Sequence, residues 1–247
     1  MPALNEENLS LKLTTPLGAD QLQIKSFHGE EKISAPYFYY LDMVSQEYDL
    51  DFDKIVGEGV TITMDLTSGD QKQFHGICTR FIQGAFDGTE CKYFAEVRPW
   101  LWQLNLTRDS RIFQEMKIPE IITKVFDDLK FKDYKDNLTK SYDQVDYCVQ
   151  YQETAFNFVS RLMEDNGICY YFEHDEDKHT LVLSDDSTGH PTCPGAPTIT
   201  MSPPDSTIIE ENTISQIALE KSVSTGKYAM DDFNFETPAT DLLVTDA

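Results

Sequence analysis

Residues 60–70 have the sequence Val-Thr-Ile-Thr-Met-Asp-Leu-Thr-Ser-Gly-Asp. The apolar residues of this stretch alternate with polar ones, which is the period of a β-strand with one buried face. The strand is predicted to end at residues 68–70, because glycine and short polar residues favour a tight turn. This stretch therefore predicts a half-buried strand followed by a turn, and it indicates a β-structure for the sequence around it.

The segments on both sides of residues 60–70 have the same character. Apolar and aromatic residues recur in short stretches, and turn residues separate them, as at residues 86–89. Several short strands joined by turns are typical of a β-barrel or a β-sandwich. The other strands predicted in this first part include residues 9–13, 22–24, 37–44, 77–81 and 91–99.

The apolar period changes from two to about 3.6 in the middle of the chain, which indicates α-helices. Pro119 suits the first turn of a helix over residues 119–130, which has one apolar stripe. A second amphipathic helix is predicted over residues 154–166. Residues 168–172 and 180–183 then flank a polar turn, which predicts a β-hairpin.

The last part of the chain begins with a proline-rich segment, which predicts a linker or an extended crossing. Strand patterns return after it, and the absence of an obvious closing element predicts a truncated last region. The sequence thus predicts a β-rich α+β protein with four regions. These are a first β-barrel over residues 1–105, a middle α/β region over 106–190, the linker over 191–207 and return strands over 208–247.

The charge of the chain limits its partners. Acidic residues number 43 and basic residues 20, so the formal net charge is −23. Such a surface repels nucleic acids and anionic membranes and could face a basic partner. Hydrophobic residues make up 40% of the chain, which is enough for a sizeable core.

The cysteines and the first residues predict the compartment. The five cysteines are odd in number and include no Cys-x-x-Cys pair, which favours reduced thiols over a disulfide framework. The first ten residues show no basic-then-apolar leader, and no apolar run approaches the length of a membrane span. We therefore expect cytoplasmic synthesis, export without a signal peptide, no stable membrane anchoring and five reduced thiols.

Two strings of the sequence are especially specific: residues 98–102, Arg-Pro-Trp-Leu-Trp, and residues 108–114, Arg-Asp-Ser-Arg-Ile-Phe-Gln. Eight further strings lie at residues 27–30, 33–38, 74–77, 79–81, 147–151, 158–164, 167–173 and 179–183. Together the ten strings resemble those of the VgrG family, the spike proteins of type VI secretion systems, and they occur in that family's order. The resemblance covers roughly residues 8–245.

This resemblance implies a phage tail hub-like fold, in which two related β-barrels flank a smaller α/β region. It implies that the full-length protein is a homotrimer whose ring of barrels caps a tube of Hcp-type hexamers. It also implies a needle beyond this chain, and effector or adaptor proteins as further partners. The resemblance therefore implies a structural hub, not an enzyme, that is assembled in the cytoplasm and exported by the type VI system.

The alternative hypothesis is a peptidoglycan-degrading glycoside hydrolase of a phage-tail-like machine. Such an enzyme needs two carboxyl groups that face each other across a cleft. The adjacent pairs Glu164-Asp165 and Asp185-Asp186 are the candidates considered. Neighbouring residues on a helix or strand point in different directions, so we interpret both pairs as solvated acidic side chains.

The histidines allow a second chemical hypothesis. His174 and His179 bracket the acidic residues 175–177, and imidazoles and carboxylates are metal ligands. We interpret this segment as a hairpin turn of solvated charges. His28 and His75 each precede a glycine, but no catalytic string accompanies them, so we interpret them as histidines beside strand-end glycines. We accordingly predict no catalytic, metal or cofactor-binding residues and no cofactor.

A nucleic-acid-binding barrel is the third hypothesis, since arginine and tryptophan side chains can stack on bases. Arg98, Arg108 and Arg111 lie near Trp100 and Trp102 in sequence. The net charge opposes that function, so we expect residues 108–111, Arg-Asp-Ser-Arg, to form ion pairs and a helix or turn cap. Both tryptophans would share one face of a strand, and we expect at least one to be buried in the core.

Overall fold

The computed structural model describes residues 11–66, 69–186, 198–201, 213–214, 216–223 and 226–246. The chain divides into two compact units, residues 1–195 and 196–247. Most of the predicted linker over residues 191–207 lies outside the described residues, and the predicted limits of the four regions stay predictions. Among the residues that the structure describes, no helix has both the length and the apolar character needed to cross a membrane.

The first part of the larger unit is a six-stranded antiparallel sheet with the strand order β1-β4-β5-β6-β3-β2. β1 and β2, at the two ends of this order, also contact each other, so the sheet curls back on itself. The predicted β-rich α+β class is confirmed. The strands are β1 (Leu11–Thr14), β2 (Gln23–Lys32), β3 (Ala35–Ser45), β4 (Gly59–Asp65), β5 (Gln71–Phe86) and β6 (Cys91–Arg98).

Residues 60–65 lie in β4, and Leu66 and Gly69 lie in the turn into β5. Gly69 has a φ of +89°, a left-handed conformation that glycine adopts without strain, and its N–H donates to Leu66 O. Side chains of alternate residues on the curled sheet point inward, as the two-residue period requires. The buried residues of β3 and β6 are Tyr37, Tyr39, Leu41, Met43, Val44, Ser45, Cys91, Tyr93, Ala95 and Val97.

The middle of the chain combines helices with short strands. The two predicted helices and the predicted hairpin are confirmed. β7 pairs with β9 in a two-stranded antiparallel ribbon, and a second sheet has the order β10-β11-β8. The elements are β7 (Arg108–Lys117), α1 (Ile118–Asp128), β8 (Tyr134–Asn137), β9 (Gln144–Thr154), α2 (Ala155–Asp165), β10 (Cys169–His174) and β11 (His179–Ser184).

The ends of both helices follow from local residues. Pro119 lies in the first turn of α1, and the Glu120 carboxylate accepts a hydrogen bond from Lys117 N–H at 2.9 Å. The Thr154 hydroxyl caps the N-terminus of α2, and Gly167 follows its C-terminus with a φ of +64°. The apolar stripes of the helices form one core with Trp100, Leu101 and Leu104.

The smaller unit, residues 196–247, contains short strands among its described residues. β12 (Thr200–Met201) pairs in parallel with β13 (Thr213–Ile214). β14 (Tyr228–Met230) pairs antiparallel with β15 (Val244–Asp246). Strands are therefore present in the region predicted to contain the return strands.

The prediction that Trp100 and Trp102 share a strand face is wrong. β6 ends at Arg98, and residues Trp100–Leu106 form a 3₁₀ helix after Pro99. The Trp102 N–H donates to Pro99 O at 3.0 Å, so the backbone bends back instead of extending. Trp100 is buried and Trp102 is half-buried, which confirms that at least one tryptophan belongs to the core.

The described cysteines occupy different environments. Cys78 and Cys91 are buried, whereas Cys148 and Cys169 are partly buried, and all four are free thiols. Burial raises the pKa of the Cys78 thiol to about 11. Cys193 lies outside the described residues, so the expectation of five reduced thiols stays a prediction.

Asp185 anchors the segment after β8. Its carboxylate accepts four hydrogen bonds of 2.9 Å, from the N–H and hydroxyl of Thr139, the N–H of Lys140 and the hydroxyl of Tyr142. Burial would raise the pKa of Asp185, but these hydrogen bonds outweigh that effect and hold the pKa well below 3.8. The buried carboxylate is thus a structural anchor, and the interpretation of Asp185 as a solvated side chain is wrong.

We expect Asp185→Asn to lower the free energy of unfolding by about 2 kcal/mol, because an amide replaces a charged acceptor of several hydrogen bonds. The wild-type contribution is present above about pH 4 and is lost as the pH falls toward the depressed folded-state pKa. Urea unfolding at neutral pH measures the difference. Asp143→Asn, at an exposed position of the same segment, is the matched control. Equal stability of the two variants would contradict the anchor.

Candidate functional site

Three histidines meet where the curled sheet contacts the β10–β11 hairpin. His75 lies in β5, and His174 and His179 are the opposed residues that flank the hairpin turn. The exposed fractions are 8% for His75 and 3% for His179, and 9% for the His174 side chain. We refer to these three residues as the histidine cluster.

The structure corrects the earlier interpretations of these histidines. The turn at residues 175–178 is exposed, but His179 beside it is buried and the His174 side chain is only 9% exposed, so neither is a solvated charge. His75 lies in the interior of β5, not at a strand end. Gly76 is required there because a Cβ atom would lie 2.5 Å from Val97 Cγ1. His28 lies on β2 and is exposed.

The hydrogen bonds of His179 fix its tautomer. The backbone N–H of Trp100 donates to His179 Nε2 at 2.8 Å, so the ring proton of neutral His179 is on Nδ1. His179 Nδ1 lies 2.9 Å from His75 Nδ1 and donates to it. The 3₁₀ helix, the hairpin and the curled sheet are therefore joined through two imidazole rings.

The chain of hydrogen bonds continues to the surface through His174. The backbone N–H of His75 lies 3.2 Å from His174 Nδ1, and His174 Nε2 lies 3.2 Å from the Tyr39 hydroxyl. That hydroxyl donates to Glu31 Oε1 at 2.5 Å, because an ionised carboxylate can only accept. The hydroxyl oxygen then accepts a hydrogen bond from His174 Nε2–H. With these donors and acceptors, each of the three histidines has one ring proton and is neutral.

Burial makes the charged form of each ring unfavourable. Desolvation, reinforced by the neighbouring histidines, lowers the pKa of His75 to about 4 and that of His179 to about 2. Desolvation also lowers the pKa of His174, although the Glu31 carboxylate acts in the opposite direction. The charged side chains that act on the cluster are Glu31, Lys72, Asp133 and Asp177.

Further contacts hold the hairpin against the sheet. The Tyr37 hydroxyl donates to His75 O at 2.6 Å, and the Tyr37 ring packs edge-on against Phe172. The Thr61 hydroxyl donates to Glu176 O at 2.6 Å. In the part of the chain that the structure describes, no group of three or more acidic, histidine or cysteine side chains could hold a metal ion. The hydrogen bonds of the cluster connect the curled sheet, the 3₁₀ helix and the hairpin.

The second notable feature is the ribbon of β7 and β9. On its inner face, Phe113 is buried and stacks on Phe158 of α2 with ring centroids 5.4 Å apart. Its outer face exposes 61% of Ile112, 56% of Tyr147 and 70% of Tyr151. This exposed face is not among the features predicted from the sequence.

The arginines considered for base stacking have structural partners. The Arg98 guanidinium lies over the rings of Phe38 and Trp102, 4.8 and 5.2 Å from their centroids. Arg111 forms an ion pair with Asp128, which confirms the expected pairing for this arginine. The expected helix or turn cap at residues 108–111 is wrong, since these residues begin β7.

Comparison with known proteins agrees with this architecture. The sequence profile of the phage tail baseplate hub (GPD) family matches residues 30–247. The chain belongs to this hub family. The hub chain is 38% identical to the type VI secretion system spike protein VgrG1b of Pseudomonas aeruginosa over 242 residues, 98% of the chain and 33% of that protein. It is 39% identical to VgrG1c of the same organism over 230 residues, 93% of the chain and 32% of that protein.

These relatives confirm the predicted resemblance to the VgrG spike proteins, and the hub chain spans about a third of their length. A solved structure of an E. coli type VI secretion component, described as similar to the T4 bacteriophage tail proteins gp27 and gp5, has the same fold. Its TM-score is 0.67 at 24% identity, over 73% of the hub chain and 50% of that protein.

Proposed function

We propose that this chain is the hub part of a type VI secretion spike that caps an Hcp-type tube and carries a needle and effector or adaptor proteins. The match of the hub family over residues 30–247 carries this proposal. In this proposal, residues 1–105 are the first hub barrel, 106–190 the middle region, 191–207 the linker and 208–247 the return strands. Three copies of the full-length protein form the hub, which is assembled in the cytoplasm and exported by the type VI system.

The packing between the sheet and the hairpin supports this mechanical role. A cap on a tube must transmit force without bending, and bending is resisted where buried polar groups have fixed partners. The histidine cluster and the Tyr37 and Thr61 hydrogen bonds tie residues far apart in sequence. This arrangement keeps the barrel and the α/β region in one orientation.

The acidic pairs considered for the glycoside hydrolase have other environments. Glu164 and Asp165 are exposed at the C-terminal end of α2. The buried Asp185 accepts four hydrogen bonds from residues 139–142. Its depressed pKa disfavours the protonated form that a general acid needs. We therefore favour the structural hub, without catalytic residues or a cofactor, over the enzyme.

Co-sedimentation with hexamers of the tube protein from the same secretion system tests the proposed function. We expect the chain to sediment with tubes in an amount that follows the number of tube ends, because a cap binds an end and not a wall. Shearing the tubes to half their length should then double the bound chain. An unrelated acidic protein of similar mass is the control for charge. Binding in proportion to tube mass, or release of sugar from purified peptidoglycan by the chain, would contradict the proposal.

A further inference from the structure

Two hydrophobic cores meet in the larger unit. One lies inside the curled sheet, and the other lies around α1 and α2. Among the described residues, Phe172 of β10 packs against both cores, and Ile77 of β5 packs against the second. We propose that the contact between these cores is an acid-sensitive switch, which is closed while the three histidines are neutral and opens, with both cores still folded, when the cluster takes up protons. This inference goes beyond the proposed function, because it does not depend on binding to a tube.

Hydrogen bonds across the contact join the sheet to the hairpin. Three donors of the sheet and of its β2–β3 turn have acceptors on the hairpin. These are the His75 N–H to His174 Nδ1 at 3.2 Å, the Thr61 hydroxyl to Glu176 O at 2.6 Å and the Ser34 N–H to Tyr170 O at 2.9 Å. The hairpin belongs with the second core, since Tyr170, Leu181 and Leu183 are buried there. Opening therefore separates the sheet from the hairpin and the helices.

The ring protons of His75 and His179 leave no place for a charge in the closed contact. Neutral His179 donates from Nδ1 to His75 Nδ1 and accepts at Nε2 from the Trp100 N–H. A proton added to His75 Nδ1 would face the His179 Nδ1–H, and a proton added to His179 Nε2 would face the Trp100 N–H. Either proton therefore replaces a hydrogen bond with two facing donors. Water can accept from both rings in the open arrangement, so charged rings are favoured there.

His174 can take up the first proton while the contact stays closed. Its Nδ1 lies 3.1 Å from His75 O, which can accept a hydrogen bond from a protonated Nδ1. The Glu31 carboxylate lies 4.0 Å from its Nε2 and offsets the charge. A second positive charge, on His75 or His179, lies beside the first and loses a hydrogen bond. The second proton is therefore the one that opens the contact.

The other charges near the cluster do not offset a second proton. The further titratable groups that face the cluster are Lys72, Asp133, Asp177 and the hydroxyls of Tyr37 and Tyr39. The two aspartates favour a charge on His75, but burial and the neighbouring His174 outweigh them. The lysine disfavours a charge on His174, and both tyrosines stay uncharged because burial raises their pKa values. The closed contact is thus complete above about pH 6.5 and is lost as the pH falls toward the lowered folded-state pKa values of the histidines.

Amide hydrogen exchange measured by NMR at pH 7 and at pH 5 tests the inference, with each rate expressed as protection relative to an unstructured amide at the same pH. The Ser34 and His75 amides report the contact, and the amides of Leu41 in β3 and Phe126 in α1 report the two cores. We expect the contact amides to be less protected than the core amides at both pH values, because the contact opens without unfolding the cores. Between pH 7 and pH 5 their protection should fall by at least about twentyfold, since one ring with an ordinary pKa of about 6.5 becomes charged in the open arrangement.

Two variants connect this response to the cluster. The double variant His75→Gln/His179→Gln should lose most of the acid response, because glutamine does not titrate in this range. Glu31→Gln should increase opening at pH 5 severalfold, because it removes the carboxylate that offsets the first proton. Glu30→Gln is the matched control, since it makes the same charge change on β2 and Glu30 forms its ion pair with Lys32, outside the cluster.

Four outcomes would overturn the inference. They are contact amides with the same protection as the core amides, contact amides whose protection does not fall between pH 7 and pH 5, a double variant with the wild-type response, and equal effects of Glu31→Gln and Glu30→Gln. The switch and the proposed function fail separately. A chain that binds tube ends but has no acid response keeps the hub function, and a chain that responds to acid but does not bind tube ends keeps the switch.

Discussion

Trp100→Ala is expected to lower the free energy of unfolding by about 3–5 kcal/mol, the range for removal of a large buried aromatic side chain. Trp100 is 4% exposed, and its ring stacks on Phe131 and meets Phe126 edge-on, with centroids 4.8 and 5.1 Å away. Its indole N–H donates to Asp133 O at 3.3 Å. Alanine would remove these contacts and leave a cavity, while the backbone N–H that donates to His179 is retained.

Urea unfolding followed by circular dichroism measures this loss. Trp102→Ala is the control in the same 3₁₀ helix, because Trp102 is half-buried and has the Arg98 guanidinium over its ring. We expect its effect to be about 1 kcal/mol, as for a partly buried side chain. A loss below about 1 kcal/mol for Trp100→Ala would contradict its place in the core.

Local sequence was sufficient where a residue pattern determines the local structure alone. The alternation of residues 60–66 and the glycine at position 69 predicted β4 and the turn after it. The 3.6-residue period likewise predicted α1 and α2. The alternation pattern failed at Trp100 and Trp102, because two apolar residues separated by one position fit a strand and a 3₁₀ turn equally. The N–H of Trp102 bonds to Pro99 O, which alternation does not encode.

The histidine cluster depends on contacts that the local sequence does not contain. His75 and His179 are 104 residues apart, and His75 and His174 are 99 apart. The sequence places His174 and His179 in the polar turn of the predicted hairpin, and it does not show which face of the hairpin packs on the sheet. The sequence Phe-His-Gly occurs at residues 27–29 and at residues 74–76, and only the histidine of the second occurrence, His75, belongs to the cluster.

The outer face of the ribbon was missed for a related reason. β9 has apolar or aromatic residues on both of its faces, including Tyr147, Cys148 and Val149 in succession. Alternation therefore does not indicate which face is buried. The packing of α2 decides this, since Phe158 stacks on Phe113 and leaves Ile112 outside.

The free energy of unfolding should fall steeply as the pH is lowered from 7 to about 4.5. The folded-state pKa values of His75 and His179, about 4 and about 2, lie below the ordinary value of 6.5. The unfolded chain therefore binds protons more readily than the folded chain in this window. The stability from the neutral rings is complete above about pH 6.5 and is lost as the pH falls toward the folded-state values.

The expected loss at pH 4.5 is at least about 3 kcal/mol, since two pH units below an ordinary histidine pKa correspond to about 2.7 kcal/mol for one uncharged ring. A second ring that also stays neutral adds to this loss, so the value for one ring is the lower bound for the pair. Asp185 and other carboxylates with pKa values below 3.8 contribute their losses at lower pH. The loss of unfolding free energy caused by the histidines therefore occurs at higher pH than the loss caused by those carboxylates, and the two can be measured largely separately.

The variant His75→Gln/His179→Gln tests the source of the effect. A glutamine amide can accept the Trp100 N–H hydrogen bond and donate another, but it does not titrate in this range. We expect the variant to be less stable than the wild type at pH 7, and its urea midpoint to change much less between pH 7 and 4.5. His28→Gln is the control, because His28 is exposed on β2 and should leave the wild-type profile unchanged. A double variant with the same pH slope as the wild type would show that the acid sensitivity arises elsewhere, and that the joint between sheet and hairpin does not depend on neutral histidines.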